Sequence, residues 1–181
     1  MPRDYTAAEV ISRFGIPEID MIRRELAPQP CEDVVARFMQ HYEEHHAIVR
    51  PFPGITEMLD EFHHRGIPMA LVTGKGRGTC EITIRQLGWS KYFRRIISGH
   101  DVEHQKPHPE GALSAAEGAG VSPEYCAFIG DSPADIRTGQ NAGMTTIAAA
   151  WHPIYIEQLK ALNPDHFAST PDELINLFQK S

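Results

Sequence analysis

The chain has 181 residues, enough for one domain with its own hydrophobic core and a small appendage. Its 17 Lys and Arg against 24 Asp and Glu give a formal net charge of −7, and the basic residues are scattered, which argues against a nucleic-acid partner. Cys31, Cys80 and Cys126 form neither a CxxC nor an even-numbered disulfide framework, and neither a secretory h-region nor a run near the roughly 18 apolar residues of a membrane span is present, so a soluble cytoplasmic protein without a membrane partner is expected.

Residues 6–48 carry apolar residues at helical spacing in three pieces: TAAEVISRF, PEIDMIRREL and a longer stretch from about Glu32. No strand is expected there. The texture changes at PFPG, residues 51–54, after which Ile55, Met58, Leu59 and Phe62 repeat at i, i+3, i+4, i+7 and the pattern stops at Gly66. The expected division is a helical region at 1–50 and an α/β core at 51–181.

Within the core, strand-like and helix-like runs alternate. PMALV (68–72) precedes a helix from about Thr79 to Leu87, RIIS (95–98) a helix from Pro109, CAFI (126–129) a helix from Pro133, and TTIAAA (145–150) closes the series. Such alternation predicts a Rossmann-like parallel sheet with helices on both faces. The tail adds a helix around IYIEQLKAL, a short extended HFA and a helix in TPDELINLF, capped at Thr170.

Ligands of open parallel sheets bind beyond the carboxyl ends of the strands, which directs attention to Thr73, Asp131 and the polar loop after Ser98. In CAFIGDSPADI, Asp131 follows a strand through Gly130, Ser132 and Pro133 start a helix, and Asp135 lies one turn in. Two carboxylates so placed repel unless a cation joins them or one is protonated, and hard oxygen ligands suit magnesium. Asp135 also reads as a plain capping acid in Ser132-x-x-Asp135. In LVTGKGRG, Thr73, Gly74 and Lys75 form a strand-to-helix turn able to hold a phosphate on hydroxyl and backbone N–H groups, although an ordinary turn looks the same. Lys106, in the proline-stiffened HQKPHPE, is suited to aim a charge at an anion, whereas most loop lysines are only solvated.

A hydroxyl, a lysine and paired carboxylates, each after a strand and in that order, resemble the haloacid dehalogenase superfamily through LVTGK, KP and GDSPAD, over about residues 50–180. The branch most resembled is that of phosphoglycolate phosphatases and pyrophosphatases, with residues 1–48 resembling its helical cap. The resemblance implies a hydrolase of small phosphorylated metabolites working through an aspartyl-phosphate, with Mg²⁺ as cofactor. Thr73, Gly74, Lys75 and Lys106 would hold the phosphate, Thr73 and Lys106 acting in catalysis, while Asp131 would ligate the metal and Asp135 support it.

The family's first motif, a strand ending in Asp-x-Asp that carries the nucleophile, has no counterpart in this sequence: Asp4 follows no apolar run and Asp20 lies in a helical pattern. By resemblance that strand lies between those ending at Val72 and Ile129, so a gap of roughly 10 Å is expected. This suggests an N-terminally shortened form, without a nucleophile as it stands and open to homodimer pairing through exposed edges. A non-catalytic phosphate-binding or interaction form of the fold is the alternative, and a phospho-accepting role for Asp131 in a signalling domain a weaker one.

Smaller signals read blandly. His41, Glu44 and His45 in HYEEHH fit a solvated helix face better than a zinc site without a further ligand. Cys80 fits a packing residue better than a reactive thiol at a helix start. Residues 1–50 contain no lysine, which disfavours the Schiff-base chemistry of the family's phosphonate-cleaving members.

Overall fold

The structure, a computed structural model, describes Asp4, Thr6, Glu9 and residues 15–179. The helix expected at 6–14 therefore lies largely outside the described residues. Two amphipathic helices come first, α1 (Glu18–Leu26) and α2 (Glu32–His45), neither with a fully buried residue. They are followed by α3 (Ile55–His64), which buries Met58, Leu59 and Phe62 as their spacing predicts and gives way to Gly66 at φ 70°.

The strands are β1 (Met69–Val72), β2 (Phe93–Ile97), β3 (Ala127–Gly130), β4 (Thr145–Ala149) and β5 (His166–Ala168). The intervening and following helices are α4 (Arg77–Gln86), α5 (Glu110–Ala119), α6 (Pro133–Asn141), α7 (Ile156–Ala161) and α8 (Pro171–Leu177). All strand pairs are parallel, as the alternation predicts. The strands form two sheets rather than one, β1-β2 and β3-β4-β5, and no strand joins β1 to β3 among the described residues.

Helices cover both faces. Ala112 and Ala116 of α5 pack with Phe128 of β3, Ala142 and Met144, and Val72 of β1 leans on the same cluster, so one helix layer spans both sheets. Small residues permit that closeness: a methyl on Gly111 would stand 3.0 Å from Val72, and one on Gly139 of α6 would stand 2.7 Å from Thr146. On the other face Met58, Leu59 and Phe62 of α3 meet Ile147 of β4, Ala168 of β5 and Leu174 of α8. Between β3 and this layer Ile129 remains 37% exposed, which is high for a strand interior.

Two boundaries differ from expectation for tertiary reasons. Helix α4 begins two residues early, inside the glycine-rich turn, because Glu18 of α1 caps it from outside: Gly76 N–H and Thr79 Oγ1 donate to its Oε2 at 2.9 and 2.8 Å. Strand β2 starts at Phe93 because Phe93 pairs with Met69. At α8 the Thr170 hydroxyl does accept from Glu173 N–H at 3.2 Å, but Glu173 reaches Ser169 N–H at 2.7 Å rather than Thr170.

Candidate active site

Thr73 continues the ladder one residue past β1, donating its N–H to Ile97 O at 2.9 Å, and its Oγ1 then accepts Lys75 N–H at 3.2 Å. The turn is crowded. A methyl on Gly74 would stand 3.0 Å from Gly15 Cα, and one on Gly99 would stand 2.8 Å from Pro17 and 2.9 Å from Gly74 O. Side chains at these glycines would drive apart the loops after β1 and β2 and the segment leading into α1. The loop after β2 is fixed by Asp101, which accepts from Ser98 N–H and Oγ at 2.8 and 2.7 Å and pairs with Arg77.

Thr73 and Lys106 line one narrow cleft, with Val72, Ile97, Ser98 and Gly111. Lys106 Nζ reaches across to Asp135 Oδ1 at 2.6 Å, where the side chains are 22% and 8% exposed. The other oxygen of Asp135 closes a capping box, accepting from Ser132 N–H at 3.1 Å and Ser132 Oγ at 2.7 Å. The capping reading of Asp135 therefore holds on one oxygen, and the other oxygen pairs with Lys106. Gly130 makes room for it, since a Cβ there would stand 2.2 Å from Asp135 Cβ.

Asp131 follows directly. Its side chain is open to solvent, yet protein surrounds the carboxyl on enough sides that desolvation raises its pKa, helped by the Asp135 charge and opposed by Lys106 and His152. Asp135 is thus paired with Lys106, and Asp131 lies more exposed beside it. His152, just past β4, was not singled out by sequence, although the rule that exposed Thr73 and Asp131, that polar residues after strands matter, applies to it equally.

Lys75 points elsewhere. Its Nζ donates to Tyr42 Oη at 2.7 Å and to Glu18 Oε1 at 3.3 Å, so the ammonium is engaged by α1 and α2. Burial opposes its charge, but the Tyr42 and Glu18 contacts outweigh it and raise the pKa. For Glu18 burial again acts first and upward, and the Gly76 N–H, Thr79 hydroxyl and Lys75 charge together bring the pKa below 4.5. Glu18 and Tyr42 carry no local signature; each is an ordinary polar residue on a helix.

Cys80 is 2% exposed and burial pushes its thiol up, the opposite of a reactive thiolate. His41, Glu44 and His45 lie together, all exposed, on α2. Among the described residues no helix is long and apolar enough to cross a membrane.

The family model for haloacid dehalogenase-like hydrolases matches residues 1–149. Pyrophosphatase PpaX from Oceanobacillus iheyensis is 30% identical over 175 residues, which cover 96% of this chain and 81% of that one. A hydrolase from Pseudomonas syringae superposes with a TM-score of 0.76 over 98% of this chain and 84% of its own, at 20% identity, and speaks for the fold alone. A beta-phosphoglucomutase from Clostridium difficile gives a TM-score of 0.61 at 26% identity, over 71% of this chain and 54% of its own. The Thr73, Lys106 and Asp131 order, the parallel α/β fold and the match over residues 1–149 agree: the chain belongs to the haloacid dehalogenase-like hydrolases and is an enzyme of that family.

Proposed function

We propose that this fold serves magnesium-dependent hydrolysis of small phosphate monoesters or of pyrophosphate, through an aspartyl-phosphate. The observation that carries the proposal is the unequal carboxylate pair: Asp135 is held by Lys106 at 2.6 Å, while the exposed Asp131, its pKa raised by burial and by the Asp135 charge, stands just past the end of β3. Such an oxygen donor fits a hard dication, with Asp131 as direct ligand and Asp135 as support. The bound ion would supply charge neutralisation to the transferring phosphoryl group. Thr73 Oγ1 and the backbone N–H groups around Gly74 would bind the phosphoryl oxygens, and Lys106 would counter their charge. Lys75 joins them only if it leaves Glu18 and Tyr42. Residues 1–50 would serve as the cap that shields this site.

No Asp-x-Asp motif stands in this sequence. We assign the nucleophile to an extended segment ending in Asp-x-Asp, lying between β1 and β3. The test is phosphate release from p-nitrophenyl phosphate and from pyrophosphate by a chain carrying such a strand ahead of residue 1, with Mg²⁺. Asp131→Asn in that protein is expected to lower kcat by about 100-fold or more. It should not lower stability, because an acid whose folded pKa is raised costs stability once ionised, as pH rises through that pKa. Undiminished turnover in Asp131→Asn would end the metal assignment.

A second reading, an interaction form that pairs with another copy the sides of β1 and β3 that no strand among the described residues covers, is favoured by the split sheet and by Ile129 at 37% exposure. Sedimentation of the chain as given distinguishes it: a clean monomer at high concentration excludes edge pairing.

A further inference from the structure

Beside the proposed magnesium site, the loop from β2 to α5 gathers a second set of donors that the phosphatase chemistry leaves unused. His104, His108 and Glu110 each bring a ligand atom within 4.8 Å of the others. His104 Nδ1 lies 3.1 Å and His108 Nδ1 3.9 Å from the same oxygen, Glu110 Oε2. A tetrahedral zinc centre with bonds of about 2.0–2.1 Å has ligand-to-ligand edges of about 3.3 Å, so the His104 separation lies near that edge and the His108 separation about 0.6 Å beyond it.

The donors are held in advance of any ion. Glu110 opens α5 and its carboxylate accepts the backbone N–H groups of Glu103 and His104 at 2.8 and 3.0 Å, folding the loop back on the helix start. Those two bonds, Glu103 first, hold its carboxyl below the usual carboxylate range. The two imidazoles stack at 4.5 Å between centroids with a 30° tilt. Among the described residues His108 Nδ1 is otherwise engaged by Glu110 N–H at 3.3 Å, a long bond that a cation can replace. Two imidazoles and one carboxylate are a donor set for zinc, cobalt or nickel and not for magnesium.

We propose that His104, His108 and Glu110 form a transition-metal site, distinct from Asp131 and Asp135, that binds Zn²⁺ or Co²⁺ across the loop carrying Lys106. An ion there ties His104 to His108 with Lys106 between them, so occupancy fixes the loop that supplies the phosphate-facing ammonium.

The experiment is calorimetric titration of tag-free protein with Zn²⁺, supported by the visible spectrum of the Co²⁺ form. It is run in a His41→Ala background, because the exposed His41, Glu44 and His45 also lie close together. The expected result is one saturable site, unaffected by excess Mg²⁺, retained in Asp131→Asn and weakened more than about tenfold in His108→Ala. His108 is half-exposed, so that variant should fold, as circular dichroism will show. Equal affinity in His108→Ala, or no saturable binding in the parent, overturns the proposal.

Discussion

Two lysines follow strands of this fold, and each finds a carboxylate in a different way. Lys106 meets Asp135 at 2.6 Å with side chains 22% and 8% exposed, and Asp135 is locked by its own capping box in the first turn of α6. Lys75 meets Glu18 at 3.3 Å with side chains 38% and 22% exposed, and shares its ammonium with Tyr42. The first pair is made by elements flanking β3 and exists whenever the core is folded. The second exists only while α1 and α2 rest on α4. Similar chemistry after a strand can therefore be part of the framework or a tie between separable parts, and the depth of the carboxylate separates the two cases.

The largest expected effect is at Asp135. Asp135→Ala leaves a mostly buried Lys106 unpaired and removes the cap of α6, and should cost about 3 kcal/mol or more in urea denaturation. A loss under about 1 kcal/mol, the scale of an exposed pair, would erase the distinction between the two lysines.

The residues of the framework pair were legible in the sequence, though not their pairing, and the tie was not legible at all. Gly130-Asp131-Ser132-Pro133 is a strand end, an N-cap and a first helical proline in succession, so residue order alone fixes where Asp131 and Asp135 point. Lys106 was legible by its stiff loop and by order, though nothing local shows that it reaches Asp135, 29 residues on. The Thr73 turn was placed correctly, but Lys75 beside it was expected to face a phosphate. Its actual partners, 57 and 33 residues away, sit on helices whose docking is decided by packing and leaves no periodic trace. The early start of α4 has the same cause, a cap supplied by another helix. The strand runs were all recognised because β-branched and apolar runs between turn residues survive any tertiary context here.

The tie at Glu18 should give the intermediate effect. Glu18→Ala removes a carboxylate that caps α4 and holds Lys75, and should cost about 1–2 kcal/mol. Faster amide exchange should appear in α1 and α2 and not in α6. The pH dependence has a definite sign: the folded pKa of Glu18 lies below 4.5, so its contribution is complete above that value and is lost as pH falls through the folded pKa. Wild-type α1 exchange should quicken in that acid window, and the Glu18→Ala protein should show no such step. Exchange quickening equally in α6 would mean that the helices and the core open together.

The smallest effect should come from the ion pair between α2 and α4. Arg85 meets Glu43 at 2.5 Å, closer than Lys106 meets Asp135, yet the side chains are 59% and 52% exposed. If distance ranked these pairs, Arg85 would be the strongest of the three. Water screens the charges and two long side chains lose freedom to meet, so exposure should rank them instead. A double-mutant cycle with Arg85→Ala and Glu43→Ala is expected to give a coupling below about 0.5 kcal/mol, falling further in molar salt. A coupling as large as the Glu18 effect would show that proximity outweighs burial in this fold, and would place α2 as firmly on the core as Asp135 is within it.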